Sequence, residues 1–157
     1  NGCSGDMFAY KESTVAQIPV TEITNSTLIK PQGRIFYAGN AASFSIDYCT
    51  MYGWGGSKAM LELGDKNTLG MSLAIKNTIL ANGGSNRKAH NANAAANLSL
   101  TIEKVYGTND MTFHSTLGDV TKYDKPSTEV FENPEEGNFK IIDALFPSSI
   151  GDPRWTE

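Results

Sequence analysis

The sequence predicts an α+β domain: a mainly antiparallel sheet with one principal amphipathic helix, at about 65–82, packed on a face. Three observations lead there. Short runs alternate apolar and polar residues with a period of two, most clearly within 44–52 and 98–117. One stretch instead places Leu69, Leu73 and Leu80 on one stripe and Met71, Ile75 and Ile79 on an adjoining one, the spacing of a helix laid on a sheet. Asn, Ser and Thr (13, 13 and 14) make up 40 of 157 residues, beside 15 Gly. That composition favours turns and half-buried strands.

Residues 1–14 are small and polar and read as a leader or tether; residues 15–157 read as a single domain. Val15 to Ile23 is a β-type run interrupted by Pro19, which lacks a ladder donor and marks an edge strand. Turns follow at Asn25 to Thr27 and at Pro31-Gln32-Gly33. Arg34 to Ala38 is a short strand. Phe44 to Tyr52 is a longer one, with Phe44, Ile46, Tyr48 and Tyr52 on one face and Cys49 and Met51 on the other. Gly53-Trp54-Gly55-Gly56 is a flexible connection. The helix is capped by Asp65 or Asn67 and closed by Gly83-Gly84. After an Asn- and Ala-rich connection at 85–97, Leu98 to Tyr106 and Met111 to Leu117 alternate on either side of the turn Gly107-Thr108-Asn109-Asp110. They predict a β-hairpin. From about 118 the chain is loop-rich, with Phe139 to Phe146 as its one apolar stretch. No internal repeat stands out.

A net charge of −4 provides no basic footprint, so nucleic acid is not the expected partner. The longest apolar run is far shorter than the roughly 20 residues of a membrane span. The two cysteines, Cys3 and Cys49, leave two readings open. They bridge in an oxidising compartment, or Cys3, in Asn1-Gly2-Cys3, is the acylated residue at the end of a bacterial lipobox. The second would give the chain a lipid anchor and excludes the first. Two separated histidines and two cysteines do not make a metal framework, and no cofactor is expected.

GxSxG and P-loop patterns are absent, and the glycines at 53–56 lack the spacing of a phosphate-binding loop. His90 and His114, the candidate bases, read as exposed passive residues. Glu62, Asp65, Glu103, Asp110 and Asp119 read as solvated acids, because paired carboxylate catalysis needs a defined gap that spacing does not show. Tyr37, Phe44, Tyr48, Tyr52 and Trp54 cluster near one strand and its exit. Within that cluster Tyr48, Tyr52 and Trp54 are the candidate binding surface, with Trp54 expected to be exposed between its glycines.

The helix, the variable stretch after it, and Leu98-Ser99-Leu100-Thr101-Ile102-Glu103-Lys104-Val105-Tyr106 with the strand that follows resemble, over residues 66–122, the middle of small bacterial outer-membrane lipoproteins of the YajG type. The Cys3 opening suits that group. The resemblance implies α+β architecture and a cell-envelope location, and it brings no catalytic residues. The resulting expectation is a non-enzymatic cell-envelope or secreted protein that works by binding or assembly, with a protein or glycan partner. The alternatives are a carbohydrate-binding module using the exposed aromatics and a self-associating subunit of an extracellular assembly.

Overall fold

The computed structural model describes residues 7–10, 20–39, 42–64, 70–95 and 98–156. It is a β-solenoid. Among the described residues three parallel sheets run along the molecule, built from three, four and five short strands of successive coils. Sheet A contains β1 (Phe8–Tyr10), β4 (Phe36–Ala38) and β7 (Leu61–Leu63). Sheet B contains β2 (Val20–Thr24), β5 (Ser43–Asp47), β8 (Met71–Lys76) and β10 (Leu98–Glu103). Sheet C contains β3 (Thr27–Ile29), β6 (Thr50–Tyr52), β9 (Ile79–Ala81), β11 (Tyr106–Gly107) and β12 (Thr121–Lys122).

This overturns the α+β expectation. Among the described residues no principal amphipathic helix packs on an antiparallel sheet. The described part of the stretch expected to be helical, from residue 70, forms β8 and β9; Asp65 to Leu69 lie outside the described residues. Met71, Leu73 and Ile75 point inward while Ser72, Ala74 and Lys76 are half-buried on the other face. Those residues satisfy a period of two as well as one of 3.6, and β-branched Ile75, Thr78 and Ile79 favour the strand. The hairpin is also corrected. β10 pairs in parallel with β8, and 111–117 holds an isolated bridge at Phe113 and a 3₁₀ turn at Ser115–Leu117.

The repeat is one of position. Val20 opposes Ser43, Ser43 opposes Ser72, and Met71 opposes Leu98, offsets of 23, 29 and 27 residues. In register, like stacks on like. Ile23, Ile46, Ile75 and Ile102 form one inward column, and Phe44, Leu73 and Leu100 form another. Leu28, Met51 and Leu80 continue the core under sheet C. Each large side chain taken fully out of water contributes about 1.5–3 kcal/mol, and the columns repeat that gain along the axis.

Two corners turn each coil. Between sheets B and C the left-handed conformation recurs at Asn25, Tyr48, Asn77 and Lys104, with φ of 47°, 49°, 43° and 52°. The single strands expected over 44–52 and 98–106 are each broken there into two strands on different sheets. After sheet C the same conformation recurs at Lys30, Gly53 and Asn82.

Residues 126–156 run back over the outer face of sheet C as a strap. It comprises the short helix α2 (Ser127–Val130; α1 is Ala92–Ala95), the antiparallel pair β13 (Phe131–Asn133) and β14 (Asn138–Ile141), and a 3₁₀ turn at Pro153–Trp155. Its Val130, Phe131, Phe139, Phe146 and Ile150 form a second core with Tyr52, Ile79 and Ala81 of sheet C. The Phe139 ring sits at the centre, 5.2 Å from Tyr52, 5.5 Å from Phe131 and 6.0 Å from Trp155. At its far end the strap reaches the first coil, where Thr27 donates to Asp152 at 2.7 Å and Trp155 Nε1 donates to Thr27 Oγ1 at 2.7 Å. Gly151 makes the close approach with φ of +94°; a Cβ there would lie 2.7 Å from Ile79 Cδ1.

The expected disulfide is corrected as well. Cys49 is a free, buried thiol next to the left-handed corner, and its Sγ donates to the carbonyls of Asp47 (3.3 Å) and Ile23 (3.4 Å). Burial pushes its pKa up to about 11. Cys3 lies outside the described residues. Among the described residues no helix is long and apolar enough to cross a membrane.

Candidate functional site

The sheet A side holds the chemistry. On this sheet Phe8, Phe36 and Leu61 stack in register, and His90 is bridged to Leu61. Ala89 is the buried core residue of the fourth coil, and the half-buried His90 lines an open cleft. One residue along, the outward column runs Ala9, Tyr37, Glu62. A cleft of about 380 Å³ opens here, lined among others by Ser57, Glu62, Lys88, His90, His114 and Thr116. Its walls come from the third coil, the fourth coil and the segment after β11. The three walls bring together residues 24 to 59 positions apart in the chain.

Glu62, His90 and His114 are each held by a neighbour. Glu62 receives Arg34 Nη1 at 3.2 Å and faces Lys58 Nζ at 3.9 Å. The Arg34 guanidinium also lies 4.5 Å from the centre of the Tyr37 ring, a cation–π arrangement. Tyr37 is half-buried and extends along the sheet, its hydroxyl so near Gly64 that a Cβ there would lie 2.3 Å away. His90 Nδ1 lies 2.9 Å from the carbonyl oxygen of Asn91. His114 caps the 3₁₀ turn by accepting from Thr116 N–H at 3.2 Å through Nδ1. Lys88 is exposed.

The aromatic residues singled out in the sequence do not assemble into a surface. Trp54, expected to be exposed, is fully buried in the core, with the Arg87 guanidinium 6.0 Å from its ring and no partner for its Nε1. Tyr52 is fully buried beneath the strap; its hydroxyl donates to Glu135 at 2.5 Å and accepts from Asn82 at 2.7 Å. Burial and the Glu135 carboxylate both raise its pKa. Phe44 is core. Tyr48 alone of the candidate trio is exposed, at the left-handed corner. The acids disperse too. Glu103 pairs with Lys76 at 3.1 Å, Asp110 accepts from the Ser127 hydroxyl and N–H, and Asp119 is exposed. Asp65 lies outside the described residues. Of the acids and histidines named from the sequence, the structure gathers Glu62, His90 and His114.

A family described as a domain of unknown function (DUF5123) matches residues 44–155. The chain belongs to this family. No curated protein and no solved structure matches it. The family span begins in β5 and includes the strap as far as Trp155 and every lining residue of the cleft named above, while Arg34 and Tyr37 precede it. Among the described residues no group of three or more His, Cys, Asp or Glu is arranged to hold a metal ion.

Proposed function

We propose that this DUF5123 chain is a non-catalytic module that binds an extended carbohydrate along the outer side of sheet A. The observation that carries the reading is the cleft itself, whose walls are donated by successive coils. Solenoids present long binding surfaces of this kind, built one coil at a time. Sugars are held by many hydrogen-bonding side chains on one side and by ring faces on the other. Ser57, Glu62, Lys88, His90, His114 and Thr116 supply the hydrogen-bonding side, and Tyr37 is the aromatic neighbour of Glu62 in register on the same sheet. The non-catalytic part rests on the partners already described. The Glu62 carboxylate, the one acid of the lining, is met by two cations and has no second carboxylate in the lining to work with as an acid–base pair. Of the protein or glycan partner expected at the cell envelope or outside the cell, this proposal takes the glycan.

Affinity electrophoresis through gels containing soluble polysaccharides tests it. Retardation by at least one polymer is expected, and His90→Ala should weaken it by about 5- to 30-fold, the loss of one or two hydrogen bonds. Tyr48→Ala, at the corner between sheets B and C, should leave it unchanged. Retardation lost in the Tyr48 variant and kept in the His90 variant would move the site to the aromatic surface. No retardation in any polymer would remove the reading.

A further inference from the structure

Among the described residues sheet B is one strand shorter than sheet C. Sheet C runs on to β12, whereas sheet B ends in β10. The cause lies in the fifth coil. From Phe113, bridged to Arg87, the chain passes over the end of the core and reaches sheet C at Thr121 without laying a strand on β10. On the way Thr116 Oγ1 accepts from Ala89 N–H at 3.0 Å, Leu117 and Val120 enter the core, and Thr121 N–H donates to the Val105 carbonyl at 2.8 Å. This leaves a notch beside β10, bounded by the crossing and by β12, about one strand spacing of 4.8 Å deep.

The edge that faces the notch is open. Asn77 N–H donates to the Glu103 carbonyl at 3.0 Å, so Ser99, Thr101 and Glu103 turn their main-chain groups to β8. The alternation of a ladder turns those of Leu98, Leu100 and Ile102 to the other side, where they have no partner among the described residues. Their side chains are half-buried, while Phe44, Leu73, Ile46 and Ile75 in the same columns are at most 1% exposed. Natural edges are blunted by Lys, Pro or a bulge. Leu98–Glu103 has none of these, and its one charge, Glu103, is met by Lys76 at 3.1 Å. A second copy does not fit the notch. Facing edge to edge, each copy would drive its own crossing into the end of the other's core. Presented by its first coil, a copy carries β3 level with β2 and would bring it onto the seat of β12.

We infer that β10 receives an extended peptide segment of another protein, about as long as the six residues of β10, as a fifth strand of sheet B. Main-chain hydrogen bonds supply the affinity. Alternate apolar side chains of the peptide close over Leu98, Leu100 and Ile102, and the polar ones between them lie beside Ser99 and Thr101 on the outer face.

The probe is a labelled peptide copying Met71–Lys76, the sequence that already fits the opposite edge of β10. Fluorescence anisotropy with the intact chain should show saturable binding. Two versions of the peptide, N-methylated on one or the other set of alternate residues, should differ. The one methylated on its bonding side should bind at least about tenfold more weakly, and the other as well as the parent. Amide exchange in Leu98–Glu103 should slow with peptide bound, while exchange in Val20–Thr24, the open edge at the other end of sheet B, should not. Leu100→Pro, which removes an edge N–H, should weaken binding by a similar factor, with circular dichroism checking its fold. The methylated pair decides the matter on the unaltered protein, whether or not the proline variant folds. No binding, equal binding of the two methylated peptides, or protection at Val20–Thr24 in place of Leu98–Glu103 overturns the inference. Slowed exchange in Leu98–Glu103 on raising the protein concentration alone overturns it in favour of a second copy.

Discussion

Asn25, Tyr48, Asn77 and Lys104 occupy one corner in four successive coils, all with positive φ. For an ordinary L-residue this conformation costs about 1–2 kcal/mol, and asparagine tolerates it best. Two of the four are therefore well suited and two are strained. Tyr48→Asn should stabilise the protein by about 1 kcal/mol, because the exposed ring gives up little packing. Asn77→Ala should destabilise it by about 2 kcal/mol, since it loses both the tolerance and the 2.8 Å bond from Nδ2 to Asp47. Urea unfolding of the two variants measures both, and the opposite order would remove the strain account. The same corner explains what the sequence concealed. Phe44 to Asp47 and Leu98 to Glu103 alternate as strands should, and they are strands. Nothing in Tyr48-Cys49 or Lys104-Val105 announces a bend, because neither pair contains Gly, Pro or Asn.

At the scale of elements, the strap is held at both ends by carboxylates. Asp152 is fully buried and accepts from Thr27 and from the Arg154 backbone and guanidinium, with its closest approach to Arg154 Nη2 at 2.5 Å. Asp110 accepts from the Ser127 hydroxyl and N–H at the strap's start. Burial pushes both carboxyls up, but these hydrogen bonds outweigh it and hold both below the ordinary aspartate value. The unfolded chain then binds more protons in acid than the folded one. The resulting stability is fully present above the unfolded value of about 3.9 and is lost as pH falls through the lowered folded values. Fluorescence of Trp155, followed during acid titration, should report the strap leaving sheet C; Trp54→Phe isolates the signal. Asp152→Asn should weaken the docked state at neutral pH and flatten that acid dependence. An unaltered titration in this variant would place the sensitivity elsewhere. The sequence showed the apolar stretch Phe139 to Phe146 but not its destination, since its partners Tyr52, Ile79 and Ala81 lie 58 or more residues earlier and read as core or exposed positions of other elements.

Across the whole molecule, coils contact mainly their neighbours, so protection from solvent should be graded along the axis rather than uniform. β8 pairs on both sides, with β5 and β10, whereas β1, β2 and β3 each pair on one side only among the described residues. Amide exchange should be slowest in β8 and fastest in the first coil, where Phe8, Val20 and Ile29 are exposed. Equal protection in every coil would show that the strap makes the solenoid a single cooperative unit. The cleft was legible only as separate residues. Glu62, His90 and His114 each drew notice, but their meeting depends on coil offsets of unequal length that no fixed period reveals. The returning strap also decides where residues 153–156 lie. Trp155 lies against Thr27, so the path that climbs four coils from β3 comes back to the level of β3. A fluorophore or tag attached beyond Thr156 would emerge beside the first coil, not at the far end, and a pull applied between Met7 and Thr156 would load the molecule across its width rather than along its length.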